Sequence, residues 1–96
     1  MELKVRLYPP LNDTARQEVV HLSLEEPVTI RTVIDALVER FGPAFRYHLY
    51  DDQGRIIPAW CVFVREHPVQ LNSQDGLSTS VKAGDEITFI LNLAGG

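Results

Sequence analysis

The chain has 96 residues, 45% of them hydrophobic, which is enough for one compact domain with a core and too little for two. Its 13 acidic and 9 basic residues give a net charge of −4 without a basic cluster, which argues against a nucleic-acid-binding protein. The longest apolar stretch, residues 56–64, is too short to span a membrane, and the opening residues do not resemble a signal peptide. A single cysteine, Cys61, cannot form an internal disulfide, so we expect a cytoplasmic protein in a reducing compartment.

Two strands are predicted to open the chain. Apolar and polar residues alternate over residues 3–7, and Pro9-Pro10 then ends the strand pattern. Residues 9–16 have the length of a hairpin loop. A second strand is predicted around Val20, Leu22 and Leu24, which again alternate with other residues.

The helix pattern is the clearest in the sequence. Six apolar residues recur at helical spacing and form one stripe: Ile30, Val33, Ile34, Leu37, Val38 and Phe41. Thr29 is the predicted N-cap, and Gly42-Pro43 is the predicted stop. The stripe indicates a helix that covers a core and does not indicate a cofactor site. In the less regular segment that follows, Phe45 and Leu49 fit one helical turn, and residues 51–54 have the composition of a turn.

The second half of the chain is predicted to be rich in strands. Residues 59–65 are β-branched and aromatic, residues 66–68 fit a short hairpin turn, and residues 69–71 fit its second strand. Residues 72–85 are irregular, and a last strand starts at Glu86. We therefore predict one α+β domain, residues 1–93, in which a single helix covers one face of a sheet, followed by a tail at residues 94–96.

The tail, Ala94-Gly95-Gly96, follows the last strand directly. Two glycines form a slim segment without Cβ atoms, which can enter a channel that larger residues would block. A frayed chain end is the alternative. The abrupt change from strand to Gly-Gly favours a functional tail.

Four features in chain order resemble the MoaD/ThiS sulfur-carrier family. They are the Lys-Val-Arg-Leu opening at 4–7, the helix at 29–41, the Gly84-Asp85-Glu86 turn within the segment 75–87, and the closing Leu93-Ala94-Gly95-Gly96. The chain departs from the family pattern where Val64-Arg65-Glu66 replaces a Val-Asn-Gly hairpin and where Asn92 replaces a proline. The long segment 44–58 is more similar to the carriers of cysteine biosynthesis and the molybdopterin synthase small subunit.

The resemblance implies a ubiquitin-like β-grasp fold, with a mixed sheet of about four to five strands covered by one main helix. It also implies a carrier and not an enzyme. A separate activating enzyme would use ATP and Mg²⁺ to adenylate Gly96, and the carrier itself would bind no cofactor. A persulfide-bearing protein or sulfide would supply sulfur, leaving a C-terminal thiocarboxylate for an acceptor biosynthetic enzyme. Gly95 and Ala94 would pass through the narrow catalytic channel, in which a larger side chain would clash.

Such a carrier needs a docking surface, because the tail alone is too small for specific recognition. If Ile87, Phe89 and Leu91 face the helix, Ile90 lies on the opposite side of the sheet. We expect Cys61 and Phe63 to be buried, and Trp60, Val62 and Val64 to lie on the outer face. Trp60, Val62 and Ile90, together with Leu93 and the tail, are then the predicted partner-binding residues. The alternative is that the segment 44–58 covers them.

Other chemistry finds little support in the sequence. His21, His48 and His67 are far apart and lack paired ligands, so no metal site is expected. Cys61 is predicted to be a small buried apolar residue and not a nucleophile. Two other functions stay open. One is a protein modifier joined to lysines through the activated Gly96, and the other is a non-covalent β-grasp interaction domain, for which removal of Gly95 and Gly96 would change nothing.

Overall fold

The structure, a computed structural model, describes residues 1–71 and 73–91. The elements in chain order are β1 (Glu2–Leu7), α1 (Leu11–Ala15), β2 (Val19–Ser23), β3 (Val28–Thr29), α2 (Ile30–Phe41), α3 (Pro43–Leu49), β4 (Trp60–Val64), β5 (His67–Val69), α4 (Gln74–Leu77), β6 (Ser80–Val81) and β7 (Glu86–Leu91). The predictions for Leu93, Ala94, Gly95 and Gly96 lie outside the described residues.

The main sheet has five strands in the order β2-β1-β7-β4-β5, and β3 and β6 form a separate two-stranded sheet. β1 and β7 run parallel, with Leu7 opposite Phe89, while β4 pairs antiparallel with β7. The last strand therefore lies in the middle of the sheet, between the first strand and the central hairpin. Together with the helix α2, this arrangement confirms the predicted α+β β-grasp fold.

The helix α2 forms where the sequence predicts it. The Thr29 hydroxyl accepts a hydrogen bond from the Thr32 amide at 3.3 Å, and the Thr32 hydroxyl accepts one from the Thr29 amide at 3.4 Å. These reciprocal bonds satisfy amides that the first turn of a helix leaves without partners. At the other end Gly42 adopts a φ of 85°, a conformation that favours glycine, and its amide donates to the Val38 carbonyl at 2.8 Å.

The hydrophobic core lies between α2 and one face of the main sheet. Ile30, Val33 and Leu37 of α2 are fully buried, as are Ile87 and Phe89 of β7. Val38 and Phe41, at the edge of the predicted stripe, are only partly buried and pack against the core. The sheet thus has one covered face and one outer face, and β7 contributes to the centre of each.

Two connecting segments contain more structure than predicted. Residues 9–16 do not form a plain loop, because they include the short helix α1, whose Leu11 is fully buried. The segment 72–85, predicted to be irregular, includes α4 and β6. Pro43 does more than end α2: it is the first residue of α3, which confirms the helical turn predicted around Phe45 and Leu49 and buries both side chains.

The hairpin between β4 and β5 turns one residue earlier than predicted. Arg65 adopts a φ of 59°, the left-handed conformation that asparagine or glycine adopts more readily. Its guanidinium Nη1 lies 3.0 Å from Asp85 Oδ1, while Asp85 Oδ2 accepts a hydrogen bond from the Lys82 amide at 2.8 Å. Asp85 therefore joins the turn before β7 to the β4–β5 turn, which offsets part of the cost of the unusual Arg65 backbone.

Candidate functional site

The position of β7 determines where the tail is attached to the domain. Leu91, the last residue of β7, pairs with Trp60, the first residue of β4. Because β1 runs parallel to β7, the residues that follow β1 lie at this same end of the sheet, and the Tyr8 amide donates to the Phe89 carbonyl at 3.1 Å. The segment 92–96 is thus connected to the centre of the sheet. The reactive role predicted for Gly96 falls outside the described residues and stays a prediction.

The predicted placement of Trp60 and Val62 on the outer face is wrong. Both are buried, at 4% and 0% exposure. In the observed register Val62 lies opposite Phe89, and directly opposite residues share a face of the sheet, so Val62 points into the core with Phe89. Val64, also predicted to face outward, is buried for the same reason. Alternation of apolar and polar residues could not predict which face of β4 is buried, because every residue of β4 is apolar.

The outer face instead carries the residues that alternate with these. Cys61 lies opposite Ile90, and Phe63 lies opposite Pro68 of β5. We call these four residues the outer apolar strip. Cys61, Phe63 and Ile90 are half-buried and Pro68 is exposed, so Cys61 and Phe63 are not the core residues that the sequence predicted. Ile90 lies on the outer face as predicted, while its role in partner binding stays a prediction.

Beside the outer apolar strip the same face is charged. Arg6 Nε lies 3.0 Å from Glu86 Oε1, and Lys4 Nζ lies 4.0 Å from Glu86 Oε2. Half-exposed ion pairs of this kind stabilise a fold by at most about 1 kcal/mol.

The segment 44–58 packs on Trp60 from the covered side of the sheet. Trp60 Nε1 donates a hydrogen bond of 2.8 Å to the carbonyl oxygen of His48, the sixth residue of α3. The predicted alternative, that this segment covers the partner-binding residues, is correct for Trp60 and wrong for Ile90, which it leaves half-buried on the other face.

A cleft of about 530 Å³ lies beside the end of β7. Its lining includes Pro10, Tyr47, Asp52, Ile57, Ala59 and Leu91. Tyr47 is 78% exposed, and Tyr8, at the end of β1, is 41% exposed. In the part of the chain that the structure describes, these tyrosines are the two exposed large hydrophobic residues. The direction of β1 brings Tyr8 to the end of the sheet where β7 ends, and Tyr47 of α3 lines the cleft together with Leu91.

A tight turn forms the acidic side of this cleft. Asp51 Oδ1 accepts hydrogen bonds of 2.9 Å from the amides of Gln53 and Arg55, and Gly54 adopts a φ of 79°, so the predicted turn at 51–54 is confirmed. The Arg55 amide, aided by the Gln53 amide and the Arg55 charge, lowers the pKa of the Asp51 carboxyl below its usual value against the opposing effect of burial. Asp51 is consequently ionised at neutral pH.

Within residues 1–71 and 73–91, no group of three or more histidine, cysteine, aspartate or glutamate side chains is arranged to hold a metal ion. The helices described there are too short and too polar to cross a membrane.

Comparison with known proteins relates the chain to others through its fold. No family model and no curated protein matches the sequence. Among solved structures, SAMP1 from Haloferax volcanii is 22% identical with a TM-score of 0.82, and the match covers 100% of each chain. CysO from Mycobacterium tuberculosis is 20% identical with a TM-score of 0.74, over 95% of this chain and 99% of that one.

A third similar structure is the BexX/CysO complex of Amycolatopsis orientalis, at 21% identity and a TM-score of 0.73, with 98% of this chain and 99% of that chain covered. Each of these matches spans nearly the whole of the solved chain. The resemblance to the MoaD/ThiS carriers is therefore confirmed at the level of the β-grasp fold.

Proposed function

We propose that this chain is a sulfur carrier of the MoaD/ThiS type, which holds sulfur as a thiocarboxylate on Gly96. The observation that carries the proposal is the attachment of the segment 92–96, Asn-Leu-Ala-Gly-Gly, to the central strand of a β-grasp domain. A partner that binds the folded sheet therefore has the start of the tail at a defined position. The five residues span at most about 17 Å when extended, enough to enter a catalytic channel.

The chemistry would proceed in two stages on the terminal carboxylate. A carboxylate is a poor electrophile, so an activating enzyme that binds ATP and Mg²⁺ would convert it to an acyl-adenylate and release pyrophosphate. Sulfide would then attack the carbonyl carbon and expel AMP. A protein persulfide would attack in the same way and leave an acyl disulfide, whose S–S bond a thiol would then cleave. Either route leaves a thiocarboxylate, which is largely ionised at neutral pH and nucleophilic.

The carrier's own residues would bind and position, and would not catalyse. Gly95 and Ala94 would keep the tail narrow inside the channel, and Leu93 would lie between the tail and the sheet. The outer apolar strip is the docking surface proposed for the acceptor enzyme. The charged side chains of Arg6, Lys4 and Glu86 would orient that enzyme on the strip. The BexX/CysO complex supports the idea of such a partner by analogy of fold. The acceptor enzyme would belong to cysteine biosynthesis, molybdopterin synthesis or a related thiolation pathway.

Intact-mass measurement tests the proposal directly. The full chain is incubated with an activating enzyme from the same genome, MgATP and a sulfur donor, alongside a form that lacks Gly96. We expect a mass gain that matches replacement of one oxygen by sulfur, mapped to Gly96 and absent from the shortened form. Equal thermal unfolding of the two forms is the control for folding. If the full chain gains no mass, while the same enzyme loads another carrier, the sulfur-carrier proposal fails.

A second candidate function is protein modification, which the similarity to SAMP1, a protein named as a small archaeal modifier in a related structure, favours. The same acyl-adenylate would then react with a lysine amine to form an isopeptide bond. Lysine-linked conjugates that end in Gly96 and appear in cells without any thiocarboxylate would support this function over sulfur transfer.

A further inference from the structure

We propose that the surface around Tyr47, beside the end of β7, docks the activating enzyme, which receives the Tyr47 ring in an apolar recess flanked by basic side chains. We call this surface the Tyr47 surface and define it by Tyr8, Pro10, Tyr47, Asp52 and Ile57. The inference rests on the proposed function and adds to it the recognition surface for the first partner.

The short tail limits how far the activating enzyme can lie from the domain. Chemistry at Gly96 takes place no more than about 17 Å from Leu91, because Gly96 is the fifth residue after Leu91. Adenylation requires a channel that excludes water, so the enzyme must surround most of that length. The mouth of that channel must therefore contact the domain near Leu91. Leu91 lines the same cleft as Pro10, Tyr47, Asp52 and Ile57, so the Tyr47 surface lies within reach of the channel mouth.

The topology explains why this surface is fixed relative to the tail. β1 is parallel to β7, which brings Tyr8 and Pro10 to this end of the sheet. β4 is antiparallel to β7, which brings Ile57, three residues before the start of β4, to the same end. The bond between Trp60 Nε1 and the His48 carbonyl, 2.8 Å long, then anchors α3 to β4 and so holds Tyr47 in place.

Tyr47 has the properties of an interface residue and no evident role in the core. Phe45 and Leu49, two residues to either side, are fully buried, whereas Tyr47 points away from the core and is 78% exposed. The rings of Tyr47 and His48 pack edge to face, with their centroids 5.5 Å apart. This contact limits the rotation of the Tyr47 side chain. An exposed tyrosine offers a large contact area with only two side-chain torsions to order, and tyrosine is enriched among interface hot spots.

Charge indicates the chemistry of the partner. Asp51 and Asp52 line the same cleft as Tyr47. Arg55 pairs with Asp51 at 4.0 Å, and within the described residues Asp52 has no ion-pair partner and is exposed. A carboxylate beside an exposed aromatic ring fits a partner surface that places a basic group beside an apolar recess.

Adenylation kinetics test the inference, with pyrophosphate release measured as the carrier concentration is varied. We expect Tyr47→Ala to raise KM for the carrier about tenfold with kcat nearly unchanged, as for loss of a moderate interface hot spot. Tyr47→Phe should retain most of the affinity, because it keeps the ring. The matched control is His67→Ala, which removes another exposed ring from the β4–β5 hairpin at the far end of β4.

Asp52→Asn tests the charge. We expect it to weaken the dependence of KM on salt concentration, since an exposed charge pair across the interface is screened by ions. Asp51 is unsuitable for this purpose, because its carboxylate also holds the turn at 51–54 together.

The outcomes separate this inference from the proposed function. If the wild-type chain is not adenylated at all, the proposed function fails. If the wild-type chain is adenylated and Tyr47→Ala has the KM of His67→Ala, the inference alone is overturned. It is also overturned if Tyr47→Ala slows only sulfur transfer to the acceptor, or only abolishes self-association in sedimentation, because the surface would then serve the acceptor enzyme or a second copy of the chain.

Discussion

Gly76 is the position at which the structure leaves least room for a side chain. A Cβ added there would stand 1.6 Å from the carbonyl oxygen of Gln70, which is backbone and cannot turn aside. We expect Gly76→Ala to lower the free energy of unfolding by at least about 3 kcal/mol, the upper part of the range for overpacked sites.

Gly84→Ala is the matched control. Nothing lies within 4 Å of a Cβ at Gly84, but its φ of +86° strains an alanine. We expect this variant to lower the free energy of unfolding by about 1 to 2 kcal/mol. Urea denaturation of the two variants compares them, and equal losses would contradict the close approach at Gly76.

Asp51 should show the pH response of a carboxylate that the fold keeps ionised. Its pKa is lowered, chiefly by the Arg55 amide, so the folded state holds its proton less tightly than the unfolded state. The resulting stability is fully present above the pKa of an unfolded aspartate, and is lost as pH falls through the lower pKa of the folded state.

Carbon NMR of the carboxyl groups follows this titration. We expect the Asp51 signal of the folded protein to titrate at lower pH than the Asp51 signal of the chain unfolded in urea. In the Asp51→Asn variant the acid-induced loss of stability should be smaller than in the wild type. Titration of Asp51 at the same or a higher pH in the folded protein than in the unfolded chain would show that the amides of Gln53 and Arg55 do not hold its carboxylate.

Single residues with a local role were predictable from the sequence. Thr29 caps α2 and Asp51 closes a turn because each bonds to amides within four residues, and such bonds follow from residue type and spacing. The constraint on Gly76 was not predictable, because it arises from the approach of another part of the backbone.

At the scale of elements, a hydrogen bond from the Trp60 side chain joins β4 to α3. We expect Trp60→Phe to destabilise the protein by about 2 kcal/mol, because it leaves the His48 carbonyl without its partner at a partly buried position. Hydrogen exchange in α3, including the Tyr50 amide that donates to Arg46, should accelerate more than exchange in α2.

Tyr47→Phe is the control for this variant, since it removes a polar atom from an aromatic ring of the same helix at an exposed position. It should change the free energy of unfolding by less than about 0.5 kcal/mol. Equal effects of the two variants would show that the Trp60 bond contributes nothing to the attachment of α3.

The elements differed in how well the sequence predicted them. The helix α2 has six apolar residues at helical spacing, and β1 has polar residues that mark its outer face. In β4, by contrast, both faces are apolar, so only the pairing of Val62 with Phe89 determines which face is buried. The helix α1 was missed because five residues contain too little periodicity to distinguish a helix from a loop.

At the scale of the whole molecule, neighbouring residues of β7 should respond very differently to truncation. Phe89 is fully buried beneath α2, and we expect Phe89→Ala to lower the free energy of unfolding by about 3 to 5 kcal/mol. Ile90 is half-buried on the outer face. We expect Ile90→Ala to lower the free energy of unfolding by about 1 kcal/mol or less. Thermal and urea unfolding measure the pair, and a larger loss at Ile90 would mean that the assigned faces of the sheet are reversed.

The order of the strands could not be predicted from periodicity. β1 and β7 are neighbours, and the side chains of Arg6 and Glu86, 80 residues apart, form an ion pair across them. No local pattern contains such a pairing. The sequence indicated it only through the resemblance of its turn, helix and terminal motifs to a known family.

The parallel pairing of β1 and β7 has a mechanical consequence. The strands lie side by side and point the same way, so the start of the chain and the attachment point of the tail are at opposite ends of the sheet. A force that pulls on the tail while the domain is gripped near its beginning acts along the strands. It loads the hydrogen bonds of the ladder together in shear, where an antiparallel hairpin would open one bond at a time. A partner that draws the tail inward therefore pulls against the whole sheet, and the domain can resist extraction while its end is held.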